Sequence, residues 1–378
     1  MLGPADPVTL HAMNDLIFVC KVQSHLPEAE EVARHTLQRA RAALGPEHAE
    51  ARDALINLSS ILYAERKLDE AEPLNVEAVA LQQRVLGPDR PDTLIAMSNL
   101  AAVYWAGEKY ADSERMNLAI LDTRRRVLGP EHPETLRTMS NLATTYTEEG
   151  KGPEAVAMLT QVWEARKRVL GPEHADTLSS AANLAGALLA AHRLAEAAAL
   201  SRATVATMRR VLGAEHYLTL GSINLLGRIE LASGQLAEAE ALFTEALRVR
   251  TRRFGPGNLM VLQTADGLGE TLNREGKFAE AQAVLEPGAA TRAKTKPAAW
   301  QTCLTRSLLG AALSGQRRFD EAEPMLRESY EGLRKLENAI PGGSQHIVRE
   351  SGERLAADYE ASGQPAEAAK IRAQLAGR

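Results

Sequence analysis

The chain has 378 residues, of which 45% are hydrophobic, 25% charged and 4% aromatic, and its formal net charge is −5. Such a balance is ordinary for a folded protein and excludes the global basic footprint of a nucleic-acid binder. No run approaches the ~18–20 uncharged apolar residues that span a bilayer, and the first residues lack the basic-then-apolar profile of a signal peptide. Cys20 and Cys303 lie too far apart in sequence to suggest a disulfide framework. A cytoplasmic location with no membrane and no nucleic-acid partner is therefore expected.

A Leu-Gly-Pro tripeptide returns every 42 residues, with its glycine at Gly3, Gly45, Gly87, Gly129, Gly171, Gly213 and Gly255. Ala214 replaces the proline once and Phe254 the leucine once. A strict period between ~20 and 50 residues marks stacked units, each burying its apolar face only against its neighbours. One elongated array is expected rather than two or three globules. It opens abruptly, because Met1-Leu2-Gly3-Pro4 falls inside the linker motif with no polar capping helix ahead of it. A missing upstream segment, or an uncapped end that forms a homodimer, is expected on that ground.

The third unit shows the local pattern. Leu94, Met97, Leu100, Ala101 and Tyr104 share one helical face, and the segment ends at Ala106. Asp92 or Thr93 can cap its start, and Pro91 suits the first turn. After a turn at Gly107-Glu108-Lys109, a second helix is predicted from about Tyr110 to Val127, with Met116, Ile120 and Val127 buried and Arg124–Arg126 in its last turn. Gly87 and Pro88 are a helix stop. Each unit is thus a helix-turn-helix hairpin. First-helix leucines recur at Leu16, Leu58, Leu100, Leu142, Leu184, Leu226 and Leu268. Small residues follow them at Ser59, Ala101, Ala143, Ala185, Gly227 and Gly269. Second-helix alanines recur at Ala29, Ala71, Ala155, Ala197, Ala239 and Ala281, with Ser113 as the one substitute.

After Gly255 the linker motif disappears, while the core continues with one residue deleted: Leu309, Gly310, Leu313 and Ala322. A last unit reads Leu355, Ala356, Tyr359 and Ala368, after a longer loop around Pro341-Gly342-Gly343. Nine hairpins are expected, grouped as seven regular repeats over 1–294 and two divergent ones over 295–378, the last ending in a short helix. Pro287 falls inside a second helix, where proline costs ~3 kcal/mol, so that helix is expected to be broken or short.

The Leu-small pair, the Tyr or Leu four residues on (Leu62, Tyr104, Tyr146, Leu188) and the second-helix Ala together resemble the tetratricopeptide repeat, in its long 42-residue form found in kinesin light chains and many bacterial signalling proteins. The resemblance implies an all-α, right-handed superhelical solenoid whose first helices line a concave groove. The divergent end, with Arg318–Pro324, looks like the repeat tails behind bacterial serine/threonine kinase domains, although no kinase signature is present.

His48, His132, His174 and His216 each follow an acid, yet equivalent places in stacked hairpins are ~8–10 Å apart per helix layer and cannot share a zinc ion. They read as residues that order the turn before each first helix. The arginine runs Arg124–Arg126, Arg166–Arg168, Arg209-Arg210 and Arg252-Arg253 sit in the last turns of second helices, where cations complement the helix dipole, and read as solvated edges. Cys20 and Cys303 read as small buried hydrophobes. Glu230, in the slot of Tyr104, is expected to snorkel or to pair with an arginine such as Arg228.

Asn57, Asn99, Asn141 and Asn183 precede the core leucine in four successive units, with Asp15 in the first. That slot lies about 100° off the core face, which the family geometry places on the groove, where amides can bond a peptide backbone. They can equally bond neighbouring helices. Five residues after the core leucine come Tyr63, Trp105, Thr147, Leu189 and Leu231, and large groups there suggest a partner patch. Trp105→Ala is expected to weaken a partner while leaving the melting temperature nearly unchanged. No phosphate loop, paired-histidine metal motif or nucleophile elbow occurs. The expectation is a non-catalytic scaffold, with no cofactor or metal, that holds a protein or peptide segment in bacterial signalling or assembly. The alternatives are a self-associating rod, or a regulatory region detached from a larger enzyme such as a kinase.

Overall fold

A computed structural model describes residues 6–22, 25–337 and 344–376, with Gly3 and Ile340. The described residues form helices and no strand, and they cluster into two compact units, Met1–Glu149 and Gly150–Arg378. The first unit holds α1 (Pro7–Val22), α2 (Leu26–Leu44), α3 (Ala49–Ala64), α4 (Leu68–Leu86), α5 (Pro91–Ala106), α6 (Tyr110–Leu128) and α7 (Pro133–Glu148). The second begins with α8 (Gly152–Leu170), α9 (Ala175–Ala190), α10 (Leu194–Val211), α11 (Tyr217–Ala232), α12 (Leu236–Phe254) and α13 (Leu259–Arg274). It ends with α14 (Phe278–Thr295), α15 (Trp300–Gly315), α16 (Phe319–Lys335), α17 (His346–Ala361) and α18 (Pro365–Ala376). Within each unit every helix packs on the ones before and after it. First helices also touch: α1 with α3, α3 with α5, α9 with α11, α11 with α13, α13 with α15 and α15 with α17. The loop at Pro341-Gly342-Gly343 lies outside the described residues, as do Met1, Leu2 and Pro4.

Two backbone positions explain the punctuation. Each linker glycine from Gly45 to Gly255 has a positive φ, between 79° and 101°, which L side chains rarely adopt. From the second hairpin on, the turn inside each hairpin needs the same conformation, met by Gly150, Gly234, Gly276 and Gly363 but also by Arg66, Glu108, His192 and Arg317. The recurring histidines are N-caps. His48, His132, His174 and His216 each accept, at Nδ1, the backbone N–H two residues on at 3.2–3.3 Å, and Asn258 does the same through Oδ1 at 2.9 Å. Each thereby satisfies one of the four N–H groups that a helix start leaves without a partner.

The core is built on volume exchange between two slots. The second-helix alanines are fully buried and Ser113 nearly so. The small residue after each first-helix leucine faces the residue 16 positions on, as Ser59 faces Asn75. Opposite Phe243, Leu285 and Leu326 the first is glycine, although Leu159 has Ala143 in that place. A Cβ on Gly227 would lie 2.9 Å from the Phe243 ring, one on Gly269 2.5 Å from Leu285, and one on Gly310 2.8 Å from Leu326. The first hairpin departs from the expected register. Leu16 is 50% exposed and Ile17 is fully buried, because α1 packs only on α2 and α3 and no described helix covers the side on which Leu16 lies. Val127, expected inside, is also 50% exposed, since Arg124 fills the buried place in that last turn.

Pro287 does not break its helix: α14 runs unbroken through it for 18 residues. Leu285 and Ala289 on either side are buried, and Arg292 anchors the following turn. Tertiary packing thus offsets the local cost, as it does for Pro73 in α4 and Pro324 in α16.

The arginine runs have two destinations rather than one. The inner arginines are largely buried clasps. Arg124 donates to the Glu134 carbonyl (3.2 Å) and to Thr138 Oγ1 (2.7 Å), and Arg166 to the Asp176 carbonyl (3.3 Å) and to Ser180 Oγ (2.6 Å). Arg250 does likewise with Met260 and Thr264, and Arg292 with Gln301 and Thr305. The hydroxyls of Thr138, Ser180 and Thr264 in turn donate to the same carbonyl, closing a triangle that ties a second helix to the next first helix, whereas Thr305 directs its proton to Asp266. The outer arginines are exposed and reach back to the acid of the preceding linker: Arg84 to Glu47, Arg126 to Asp89, Arg210 to Glu173 and Arg252 to Glu215. Exposed pairs of this kind each contribute roughly 0–1 kcal/mol. Lys67 and Arg34 beside Glu30 form a similar tie and hold its carboxyl down to about 2.

The Arg292 clasp carries a buried carboxylate. Asp266 accepts from Arg292 at 2.5 Å and from Thr305 at 2.8 Å. Burial pushes its carboxyl up to about 6, against the pull of Arg292. That lies above the ordinary aspartate value near 3.9, so between the two the folded state binds more protons than the unfolded chain. Stability from this group is complete below about pH 4 and is lost as pH rises through about 6. The melting temperature of the wild type, measured against that of Asp266→Asn across this window, is expected to fall with rising pH. For the packing slots, Gly227→Ala should destabilise by roughly 1–3 kcal/mol through overpacking. Phe243→Leu should restore part of that loss, as a double-mutant cycle in urea would show.

Candidate partner-binding face

The amides of the first helices divide into two kinds. Asn14, buried on α1, donates to the Glu50 carbonyl (3.2 Å) and carboxylate (3.0 Å). Asn57 on α3 donates to Asn14 Oδ1 at 3.3 Å. Here the amide joins helices. Asn99 is half-buried and Asn141 and Asn183 are exposed; none of these three side chains bonds a described residue. Asp15 is exposed and lies 3.8 Å from His11.

The row of larger side chains is less uniform than its spacing suggests. Tyr63 and Leu189 are half-buried, Tyr63 against the core of the first unit. Thr147 spends its hydroxyl on the Ala143 carbonyl at 3.0 Å. Trp105 is half-buried, and its Nε1 is buried without an acceptor. Leu231 is a correction: it is only 7% exposed, in a cluster with Phe243, Leu268 and Leu272, and presents nothing to a partner. The bulk of Phe243, admitted by Gly227, draws it inward.

The odd polar residues resolve into structure. Glu230 is fully buried, and its Oε2 accepts from Arg202 of α10 at 2.7 Å. The partner is not Arg228, because the slot points at the preceding second helix, 28 residues back. Burial pushes this carboxyl up. Cys20 is half-buried against the first core cluster. Burial also pushes the half-buried Cys303 thiol up, the reverse of what an activated thiolate needs. Among the described residues no three His, Cys, Asp or Glu side chains converge as metal ligands. No described helix is long and apolar enough to cross a membrane.

The second unit adds a feature that sequence reading missed. A cleft of about 370 Å³ opens between α13 and α17, with Leu308 and Ala311 of α15 and Phe278 as its apolar floor. Its rim is a four-charge bridge. Arg274 binds Glu270 at 2.6 Å and Arg354 binds Glu350 at 3.2 Å. Cross-pairs of 3.7 Å (Arg354–Glu270) and 3.9 Å (Arg274–Glu350) link α13 to α17 over α15. Only the four-residue spacings Glu270–Arg274 and Glu350–Arg354 hint at it in sequence, since α15 and α17 come from units that have lost the 42-residue register.

Sequence profiles of the tetratricopeptide repeat match residues 50–118, 100–168, 141–210, 176–251 and 218–292, and also 21–50 and 302–340. The chain belongs to the tetratricopeptide-repeat family. No curated protein matches it. Among solved structures it is similar to the apo form of the quorum sensor NprR from B. thuringiensis, at 11% identity and a TM-score of 0.61, covering 97% of both chains. It is also similar to a Rap protein complexed with competence and sporulation factor, at 14% identity and a TM-score of 0.55, covering 95% of this chain and 99% of the other. At such identities these are likenesses of fold. A kinesin light chain of Podosopora anserina with nearly identical TPR-like repeats matches at 28% identity and a TM-score of 0.47, over 53% of this chain and 95% of its own.

Because Trp105 is half inside, its truncation is not silent. Trp105→Ala should destabilise by roughly 1–3 kcal/mol, less than the removal of a fully buried tryptophan, and chemical denaturation monitored by circular dichroism would register the loss.

Proposed function

We propose that this chain is a non-catalytic scaffold that holds a segment of a partner protein or peptide along its first helices, in bacterial signalling or complex assembly. The observation that carries this reading is an asymmetry of hydrogen bonding. Polar side chains at the ends of the second helices are consumed in ties between hairpins, whereas the amides of Asn99, Asn141 and Asn183 are engaged by no described residue. An amide offers a donor and an acceptor together, as a peptide unit requires. Tyr63, Trp105 and Leu189 supply apolar contact on the same helices, and the cleft between α13 and α17 is a second concavity on first helices. The factor-bound Rap protein and the quorum sensor lend support from the fold. The division into a regular block, 1–294, and a divergent block, 295–378, is part of this proposal, supported by the loss of the linker motif after Gly255.

The discriminating experiment compares wild type with the triple variant Asn99→Ala, Asn141→Ala, Asn183→Ala in affinity capture from a bacterial lysate. A protein recovered by the wild type should be lost with the variant at unchanged helicity and melting temperature. Equal recovery by both would refute the amide row as the working surface.

A further inference from the structure

We propose that the cleft between α13 and α17 binds a small organic acid, a monocarboxylate with an apolar body, separately from any segment held along the amide row. At about 370 Å³ the cleft falls within the size range of small-molecule sites. All the residues that line it belong to the second unit.

The floor selects the apolar part of the ligand. Leu308 is buried, and Ala311 and Phe278 are half-buried. The Phe278 ring occupies the space that a Cβ on Gly315 would need, and Asn273 of α13 donates to the Leu308 carbonyl at 2.9 Å. These contacts hold α15 against α13 and α14, so the floor is built before a ligand arrives. An aliphatic or aromatic group laid on it leaves water for an apolar surface.

The rim selects the charge. Three carboxylates (Glu270, Glu350 and Glu353) and three guanidiniums (Arg274, Arg349 and Arg354) surround the floor. Every carboxylate already faces a cation: Glu270 and Glu350 within the bridge, and Glu353 with Arg372 at 3.7 Å. Of the three guanidiniums, Arg349 bonds no described residue and is exposed. The unspent charge is therefore a single positive one.

Arg354 adds a spare donor. Its Nη1 has no acceptor, and its cross-pair with Glu270 at 3.7 Å is too long for a hydrogen bond. A ligand oxygen can take up that donor without parting Arg354 from Glu350. One excess cation suits a monoanion, and the planar guanidinium fork suits a carboxylate. A phosphate, with roughly 1.5–2 negative charges near neutral pH, would bring uncompensated charge to a rim of three glutamates. The bridge also limits length. It spans α13 to α17 at 3.7–3.9 Å, so an extended chain lying across successive first helices meets closed charge pairs there. A molecule the size of the cleft needs only its floor and Arg349.

Ligand-observed NMR titration of the full chain at neutral pH tests this, with 4-methylpentanoate as the probe. With about eight non-hydrogen atoms, that acid should bind with a Kd on the order of 1–10 mM. Its neutral amide, 4-methylpentanamide, should bind about tenfold more weakly or worse, as should the acid to Arg349→Gln at unchanged helicity. Ala311→Phe, which fills the floor, should abolish binding of the acid. Arg228→Gln, which removes an arginine of α11 outside the cleft, should leave it intact. No saturable binding by the wild type, equal affinity for acid and amide, or full affinity in Arg349→Gln overturns the proposal. Tighter binding of inorganic phosphate would make this a general anion site, and tighter binding of the tripeptide Gly-Gly-Leu a site for a peptide terminus; either is equally fatal. The cleft shares no residue with Asn99, Asn141 and Asn183, so this site and the amide row stand or fall separately.

Discussion

A helical hairpin has two apolar flanks and can cover neither by itself, so each unit of this chain is stable only as the neighbour of another. Everything else in the structure serves the distance at which those neighbours meet. That distance is set where the residue after each first-helix leucine faces a second helix, and glycine there admits the bulkiest partner. Glycine stands against Phe243, Leu285 and Leu326, while serine stands against Asn75. Close-packed interiors tolerate exchange of volume across a contact far better than its addition.

Packing of that kind is indifferent to register along the helices, and polar ties supply the register. The clasps of Arg124, Arg166, Arg250 and Arg292 each find one carbonyl and one hydroxyl on the next first helix, and none would fit after a slip of one residue. The exposed arginine–acid pairs run the opposite way, back to the preceding linker, and contribute less individually. Where Asp266 enters one clasp, a buried carboxylate joins the arginine and that junction becomes sensitive to pH. The same economy explains why histidines sit before so many first helices: they close helix starts that aspartate or serine would otherwise close.

With second-helix ends committed to neighbours, the first helices hold the unspent chemistry. The three amides that bond no described residue, the half-buried aromatics and the charged cleft between α13 and α17 all lie there. The outward side of α1 differs in kind. It is apolar, and it presents the side of a first helix that packs against another helix in later repeats.

Much of this was legible in the order of residues. A 42-residue period, the leucine–small pair and the glycine stops defined the hairpins and most of the core, because periodicity records which face each helix must bury. Other features depended on contacts that no local pattern encodes. Leu231 and Leu189 hold equivalent slots, yet Phe243 takes only the first inside. Arg124 and Arg126 are neighbours in one run, yet one is a clasp and the other a surface tie. Glu230 found Arg202 rather than the nearer Arg228, and Pro287 stayed helical because its flanking residues were already held. Sequence order determined which faces were apolar. Tertiary structure decided what each polar side chain could reach, because reach depends on the neighbouring hairpin.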